Sequence, residues 1–240
     1  MITGGTSGIG RGLAERFHGE GNKVIIAGRR EQLLSSITAE HPGMDSVVLD
    51  VTDPASIRRC VATVTDQHPE LNVVVNNAGI MLPENLSDPG HLQIAEDTVT
   101  TNLLGPIRVL AEVVPFLAAK DDAVIVNVSS GLAFVPLPIT PTYCATKAAL
   151  HSYTESLRVQ LADTGVQVLE LIPPGVQTDL MGQAESGQGM PLPGFLDEVM
   201  DLLRSSPDAP EISVQDVLFI RNAEAEGKRD GVLAMLSGAH

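Results

Sequence analysis

The stretch MITGGTSGIG, residues 1–10, is rich in glycine and lies where a first strand would meet a first helix. Gly4 permits a tight turn, while Gly8 and Gly10 let a ligand and the helix approach the backbone closely. The free N–H groups of a first helical turn would then face an anion. The stretch predicts a loop that binds the phosphates of a dinucleotide; an ordinary strand–helix turn is the alternative. The candidate binding residues are Gly4, Thr6, Ser7, Gly8, Ile9 and Gly10.

Short apolar runs alternate with amphipathic stretches along the rest of the chain. Near-continuous apolar runs are typical of strands buried on both faces of a sheet. They occur at residues 23–28, 45–51, 71–79, 123–130 and 166–175. Helical patterns cover residues 8–20, 31–40, 54–67, 93–120 with an interruption, and 145–163. This alternation predicts an α/β fold of the Rossmann type: a doubly wound parallel sheet with helices on both faces, formed by residues 1–240 as a single domain.

One region lacks a regular pattern. Residues 182–194, GQAESGQGMPLPG, are rich in Gly, Gln and Pro, a composition that predicts a mobile surface loop. We expect a substrate lid around residues 180–204, of which residues 182–194 are poorly ordered until a ligand binds.

The composition excludes several kinds of partner. The formal net charge is −15 at pH 7, so the surface repels nucleic-acid phosphates and anionic lipid headgroups. We find no apolar run that could span a bilayer and no signal-like segment. The two cysteines, Cys60 and Cys144, do not have the spacing of a metal site. We therefore expect a cytoplasmic protein that binds neither nucleic acid nor membrane nor metal.

Two arginines follow the run KVIIAG at residues 23–28, and the first acidic residue after them, Glu31, already lies in the next helix. An acidic side chain at the end of this strand would accept from the ribose 2′-hydroxyl of NAD, whereas guanidinium groups suit a 2′-phosphate. Arg29 therefore predicts a preference for NADPH over NADH. Arg30 is a second candidate ligand. The alternative is a solvated pair of charges at a helix start.

A tyrosine and a lysine share a helical face within residues 142–157, TYCATKAALHSYTESL. Tyr143 and Lys147 are four residues apart, which places them side by side on a helix. A free phenol titrates near about 10, and a cation ~4 Å away at an effective dielectric of ~20 lowers that pKa by roughly three. We therefore expect a pKa of about 7 for Tyr143, suited to proton transfer.

Two serines end the apolar run at residues 123–130. Ser130 lies thirteen residues before Tyr143, at the strand end where open α/β sheets carry ligand-binding residues. Its hydroxyl could hold a substrate oxygen. Ser129 competes for this role, because strand alternation points the two side chains to opposite sides.

The chain resembles the short-chain dehydrogenase/reductase superfamily, and within it the DltE-type bacterial oxidoreductases. Seven motifs in family order carry the resemblance, at residues 3–10 (TGGTSGIG), 50–51 (DV), 76–79 (NNAG), 102–105 (NLLG), 129–131 (SSG), 143–147 (YCATK) and 174–178 (PGVQT). The DltE-type likeness comes from residues 129–152, SSGLAFVPLPITPTYCATKAALHS.

The resemblance implies a role for each matching residue. Tyr143 would be the general acid of carbonyl reduction, Lys147 would lower its pKa and hold the nicotinamide ribose, and Ser130 would orient the carbonyl. Asn102 would fix a water of a proton relay through Lys147. The remaining implied cofactor-binding residues are Asp50 and Val51 beside the adenine, Asn76, Ala78 and Gly79 on the ribose side, and Pro174, Gly175 and Thr178, the last at the carboxamide.

The C-terminal region departs from the family pattern. Residues 212–240 replace the glycine-rich strand with which many members end, which puts the usual tetramer contact in doubt. The helices after Asn102 and Tyr143 could still form a dimer face. We expect a homo-oligomer, a homodimer in the first place, with a tetramer as the alternative.

The predicted pocket walls indicate the substrate class. Residues 132–141 and 176–203 contain neither Lys nor Arg, so an anionic substrate would lack a counter-charge. We expect an NADPH-dependent enzyme that interconverts a neutral, fairly apolar ketone or aldehyde and its alcohol. The alternatives are a redox sensor or scaffold without turnover and a 3-oxoacyl carrier-protein reductase. The net charge of −15 argues against the reductase, because an acidic carrier needs a basic docking patch.

The first strand raises a separate question. Only Met1 and Ile2 precede Thr3, whereas the first strand of a doubly wound sheet is central and strands usually have about five or six residues. We therefore expect Met1 to be an interior residue of the first strand, with further residues upstream of it. The alternative is that another segment fills the slot.

Overall fold

The structure, a computed structural model, describes residues 1–182 and 187–238. In this part of the chain, seven parallel strands form one sheet in the order β3-β2-β1-β4-β5-β6-β7. The predicted doubly wound parallel sheet is thereby confirmed. The strands are β1 (Ile2–Thr3), β2 (Ile25–Gly28), β3 (Asp45–Val48), β4 (Val73–Asn76), β5 (Ala123–Val128), β6 (Val166–Ile172) and β7 (Glu211–Ser213).

Helices lie on both faces of this sheet. They are α1 (Gly8–Gly19), α2 (Glu31–Glu40), α3 (Pro54–Gln67), α4 (His91–Val99), α5 (Gly105–Leu117), α6 (Pro141–Gln160), α7 (Leu192–Ser205), α8 (Leu218–Arg221) and α9 (Arg229–Leu236). A π-helical segment, Thr100–Leu104, joins α4 to α5, so the single interrupted helix expected over residues 93–120 is three segments.

Two hydrophobic layers hold the helices to the sheet. Val74 and Val75 are neighbours on β4, yet the first packs in the layer with α3 and α5 and the second in the layer with α1, α2 and α7. This division follows from the alternation of side chains along a strand. Both valines are almost completely buried, as a strand covered by helices on both faces requires.

The region around residues 180–204 is only partly a loop. Residues 183–186 lie outside the described residues. Gln177 N donates to Met190 O and Met190 N to Gly175 O, which ties the strand-like residues before α7 to the segment after β6. Helix α7 then packs on α1, where Gly12 makes room for Leu196. The second half of the predicted lid therefore belongs to the helical layer.

The strand β7 was not predicted, although it pairs in parallel with β6 through Glu170↔Glu211 to Ile172↔Ser213. Only Ile212 of its three residues is buried, so the segment has no apolar run to indicate a strand.

The chain enters the sheet at its centre. Ile2 pairs with Ile26 on one side and Val75 on the other. The amine nitrogen of Met1 donates to Val73 O at 2.7 Å, and burial lowers the pKa of this amine to about 5. A cavity of about 200 Å³ lies beside Met1, between the first residues of β2 and β4.

Within residues 1–182 and 187–238, the structure contains no helix that combines the length and the apolar character needed to cross a bilayer.

Candidate active site

The loop between β1 and α1 forms one wall of a long cleft of about 400 Å³. Gly4 and Gly8 have φ angles of 66° and 52°, which glycine adopts without strain. A Cβ on Gly4 would lie 2.9 Å from Ala78 Cα, so this position has no space for a side chain. The predicted residues that line the cleft are Gly4, Thr6, Ser7, Gly8, Ile9, Arg29, Arg30, Asp50, Val51, Ala78, Gly79 and Thr178.

Gly10 lies behind this wall in the first turn of α1, where a Cβ would meet Asn77 and the backbone of Gly4. The glycine therefore serves the approach of α1 to the sheet. Gly175 is likewise behind the cleft, with its carbonyl accepting from Met190 N at 2.8 Å.

The two arginines occupy different environments. Arg30 Nη2 donates to Thr6 Oγ1 at 2.7 Å and to Ser7 Oγ at 3.0 Å, so it braces the glycine-rich loop. Arg29 is exposed at the cleft. Burial raises the pKa of Asp50, but hydrogen bonds from Thr52 and the charge of Arg29 outweigh it, and the pKa is lowered overall. The side chain of Arg29 has no hydrogen bond to any described residue, so its guanidinium, unlike that of Arg30, is available to a ligand.

Asn76 does not take the predicted place beside the ribose. Its side chain is 2% exposed and donates to Asn127 Oδ1 at 2.9 Å inside the protein. Asn77 lines the cleft instead, with its Nδ2 donating to Thr3 O at 3.1 Å. Thr3 Oγ1 accepts from the backbone N–H groups of Asn77 and Ala78. Asn77 rather than Asn76 reaches the cleft because side chains alternate along a strand, so that neighbouring asparagines face opposite sides.

Tyr143, Lys147 and Ser130 meet at a second, smaller cavity of about 90 Å³. It shares Ile9, Gly79 and Thr178 with the long cleft. Tyr143 and Lys147 come from the first two turns of α6, and Ser130 follows β5. Pro174 also lines this cavity, so the predicted catalytic groups adjoin the predicted dinucleotide site.

The two serines differ in their contacts. Ser130 forms a hydrogen bond that lowers the pKa of Tyr143, although burial has the larger effect and raises that pKa to about 12. Ser130 Oγ also accepts from Leu132 N at 3.1 Å. Ser129 is 1% exposed, and its hydroxyl has no hydrogen-bond partner among the described residues. Ser130 is therefore the serine that contacts the phenol.

The ionisation of Tyr143 differs from our expectation of a pKa near 7. The phenol is buried, and desolvation disfavours its charged form. The Lys147 ammonium donates to Val128 O at 2.7 Å and lies 5.6 Å from the centre of the Tyr143 ring. Burial also lowers the pKa of Lys147, to about 8, against an opposing effect of Glu170. The phenol is thus protonated at neutral pH and the amine is largely charged.

Asn102 lies in the π-helical segment, and the backbone groups of Ile80 hold its side chain. Its Oδ1 accepts from Ile80 N at 2.8 Å and its Nδ2 donates to Ile80 O at 2.7 Å. Nδ2 also lies 3.5 Å from Thr146 Oγ1, whose hydroxyl donates to Tyr143 O. A π-segment inserts an extra residue into the helix and is frequent at functional sites. Here it brings Asn102 between the loop after β4 and the helix that carries Tyr143.

Apolar side chains surround the far side of Tyr143. Met81 is buried with Tyr143 and Cys144, and partly buried apolar residues pack against them. These are Leu132, Leu137, Leu180 and Met181. Of these residues, Leu180 also lines the cavity at Tyr143, together with Ile9 and Val176.

The sheet and the two adjoining clefts define a dinucleotide-binding α/β protein with a tyrosine–lysine pair at the end of the cofactor site. The sequence profile of the short chain dehydrogenase family matches residues 1–189, and the chain belongs to this family.

Individual relatives agree with this assignment. The chain is 38% identical over 235 residues to the uncharacterised oxidoreductase DltE of Bacillus subtilis (strain 168), with 98% of this chain and 91% of the relative covered. This confirms the DltE-like branch. A short chain dehydrogenase of Burkholderia cenocepacia J2315 in complex with NADP has the same fold, with a TM-score of 0.81, 23% identity and 98% and 95% of the two chains covered.

A third relative bears on the cofactor. The 3-ketoacyl-(acyl-carrier-protein) reductase of Brucella melitensis, complexed with NADH, superposes with a TM-score of 0.76 at 26% identity, covering 86% of this chain and 90% of the other. The family identifies this protein as an oxidoreductase with a nicotinamide cofactor.

Proposed function

We propose that the protein is an NADPH-dependent reductase that interconverts a neutral, fairly apolar ketone or aldehyde and its alcohol. The observation that carries this proposal is the meeting of Tyr143, Ser130 and Lys147 in a cavity that adjoins the glycine-lined cleft. The cofactor supplies the hydride. The protein supplies the proton and holds the carbonyl in place.

In this proposal Ser130 donates a hydrogen bond to the substrate oxygen, which fixes the carbonyl beside the phenol. Tyr143 then donates its proton to that oxygen as negative charge develops there. A pKa raised to about 12 by burial keeps the phenol protonated at neutral pH, as a general acid requires. The charge of Lys147 stabilises the phenolate that remains after the transfer.

The proposed preference for NADPH rests on Arg29. It is exposed at the rim of the cleft, next to the end of β2, where the strand ends in Gly28 without an acidic side chain. Arg30 contributes through the loop, because its hydrogen bonds to Thr6 and Ser7 fix hydroxyls that also line the cleft.

The proposed substrate class rests on the wall beside Tyr143. Ile9, Val176 and Leu180 line the cavity beside Tyr143 and offer dispersion contacts, so an uncharged, apolar molecule would be desolvated there at little cost. Asp179 lines the adjoining cleft and would repel an anion.

A carrier-protein reductase is the second candidate, because the reductase from Brucella melitensis is similar in fold and sequence. The net charge of −15 disfavours docking of an acidic carrier. A redox sensor without turnover is not favoured, since Ser130, Tyr143 and Lys147 are present together at one cavity.

We further propose that residues 1–240 form one domain, that the protein works in the cytoplasm and that it forms a homodimer. Both cysteines are buried as free thiols, which agrees with a reducing compartment. The dimer face would involve α5 and α6, near which Leu104 and Val159 are exposed.

The decisive experiment is an assay of NADPH oxidation against a panel of ketones and aldehydes of graded polarity, with carboxylated analogues as the matched anionic set. We expect turnover of the neutral members. The absence of turnover across the panel in a protein that binds NADPH would favour the sensor, and a preference for acyl-carrier substrates would favour the second candidate.

A further inference from the structure

A row of polar residues crosses the sheet beneath α6. Asn76, Asn127, Glu170 and Glu211 stand in register on four neighbouring strands, and residues in register on parallel strands point to the same face. The first three are at most 2% exposed. Asn127 joins the row to α6, because its Nδ2 donates to Thr154 Oγ1 at 2.9 Å.

Glu170 is the unusual member of this row. It is completely buried, and carboxylates are rarely buried unless they are paired. Its Oε2 lies 2.8 Å from His151 Nδ1, and because a carboxylate only accepts, the imidazole nitrogen donates. Its Oε1 has no hydrogen-bond partner among the described residues. A single hydrogen bond leaves this buried carboxylate in need of a nearby positive charge.

A metal ion does not fit as the source of that charge. His151, Glu170 and Glu211 do place potential ligand atoms within 4.8 Å of one another. However, both oxygens of Glu211 already accept from Arg221, each at 2.8 Å. A cation bound there would face the guanidinium directly, and Glu211 would have to give up that pair.

Lys147 is the positive group that does fit. It precedes His151 by one turn of α6, so the two side chains share a face of the helix. Its ammonium donates to Val128 O at 2.7 Å, and Val128 follows Asn127, the register partner of Glu170. Burial lowers the pKa of Lys147 to about 8, while the charge of Glu170 acts to raise it.

We propose that Glu170, oriented by His151, is the counter-ion of Lys147: a positioning residue that keeps the ammonium charged beneath Tyr143. The carboxylate lines neither the long cleft nor the smaller cavity at Tyr143, and it acts only through the lysine. This inference rests on the proposed roles of Tyr143 and Lys147. The charged and titratable groups around Glu170 are Lys147, His151, Glu155 and Arg158 from α6, Glu211 from β7 and Arg221 from α8.

The sign of the effect follows from the charges. Removal of a negative charge near an ammonium destabilises its protonated form, so Lys147 would lose its proton at lower pH. Arg221 does not substitute for Lys147, because it is paired with Glu211. Above the lowered pKa the neutral amine would no longer stabilise a phenolate at Tyr143.

The test is a direct titration of Lys147 by NMR in protein labelled with ¹³C-lysine. The chain has only four lysines, and the signal of Lys147 is the one lost in Lys147→Met. We expect Glu170→Gln, which keeps the side-chain shape, to lower the pKa of Lys147 by about one pH unit or more. Glu155→Gln is the matched control, since it removes an exposed charge 3.9 Å from the same histidine and should leave that pKa unchanged.

A second variant tests the proposal if Glu170→Gln does not fold, which circular dichroism would show. His151→Leu keeps the carboxyl group but removes the hydrogen-bond donor that orients it. The negative charge is then no longer held in place, and the pKa of Lys147 should again fall. If Lys147 titrates as in the wild type in whichever of these variants folds, the proposal is wrong. The titration needs no substrate. An unchanged pKa of Lys147 would therefore contradict the counter-ion role of Glu170 but not the proposed reductase activity. Conversely, an enzyme without turnover would contradict the proposed activity but not the counter-ion role.

Discussion

Lys147 Nζ donates to the carbonyl oxygen of Val128 at 2.7 Å and lies 5.6 Å from the ring centre of Tyr143. The lysine is thus anchored by the strand β5, with its ammonium near the phenol ring. The two pKa values move in opposite directions, to about 12 for the phenol and about 8 for the amine, because burial disfavours the charged form of each. Near pH 7 this arrangement keeps a neutral proton donor beside a cation, which suits carbonyl reduction.

The first prediction concerns the proton donor. Tyr143→Phe should lower kcat/KM for carbonyl reduction by about 10²–10⁴-fold, because general acid catalysis is lost. NADPH binding, measured by fluorescence titration, should change little. Tyr153→Phe is the matched control, since it removes the other tyrosine of α6, which packs against the core away from the clefts. A kcat/KM of Tyr143→Phe equal to that of the wild type would refute the mechanism.

The second prediction concerns pH. The pKa of Lys147 is lowered to about 8, so the ammonium loses its proton as the pH rises through that value. We expect kcat/KM for reduction to fall on the alkaline side of about pH 8, because a neutral amine does not stabilise the phenolate. Lys147→Met should give a low rate without this descending limb. A wild-type profile that stays level to pH 10 would contradict the role of the charge.

The third prediction concerns cofactor choice. Arg29→Asp should raise KM for NADPH by about tenfold to a hundredfold, the usual worth of hydrogen bonds to a charged group, and should improve the use of NADH. Steady-state kinetics with both cofactors measure the change. Arg30→Leu is the comparison, because loss of its bonds to Thr6 and Ser7 should weaken both cofactors. A wild-type enzyme that prefers NADH would rule out the assignment of Arg29.

The fourth prediction separates the two neighbouring asparagines. Asn76→Ala leaves Asn127 Oδ1 without its buried donor, which should lower the free energy of unfolding by about 1–3 kcal/mol. Cofactor affinity should be nearly unchanged. Asn77→Ala should instead weaken NADPH binding, because Asn77 Nδ2 holds the loop at Thr3 O. Urea unfolding and cofactor titration of both variants test this contrast, and equal effects of the two would contradict it.

The sequence predicted the sheet well because buried parallel strands have a distinct apolar pattern. It also placed Tyr143, Lys147 and Ser130 together, since strand ends and the following helix meet at one edge of such a sheet. It misplaced Asn76 because motif spacing carries no information about which face a residue takes at the end of a strand. The pKa expected for Tyr143 was too low because the residue pattern does not report burial, which has the largest effect on this pKa. Glu170 gave no signal, since one acid within an apolar run does not reveal its partners on the preceding helix.

The last prediction concerns the cavity beside Met1. An apolar extension of about five residues, the usual length of a strand, should continue β1 into this cavity between β2 and β4. Each apolar side chain that it buries should raise the free energy of unfolding by about 1.5–3 kcal/mol. A Gly/Ser extension of equal length is the control and should stabilise far less.

The extension should also change the pH dependence of stability. The pKa of the Met1 amine is lowered from 8.0 to about 5, so in the 240-residue chain the unfolded state binds the proton more tightly, and stability falls as the pH drops from about 8 to about 5. An extended chain carries a peptide bond at Met1, and this part of the pH dependence, at most about 4 kcal/mol, should vanish. Thermal unfolding at pH 8 and pH 5.5 measures both effects, and an apolar extension that stabilises no more than the Gly/Ser control would show that the cavity does not accept a strand.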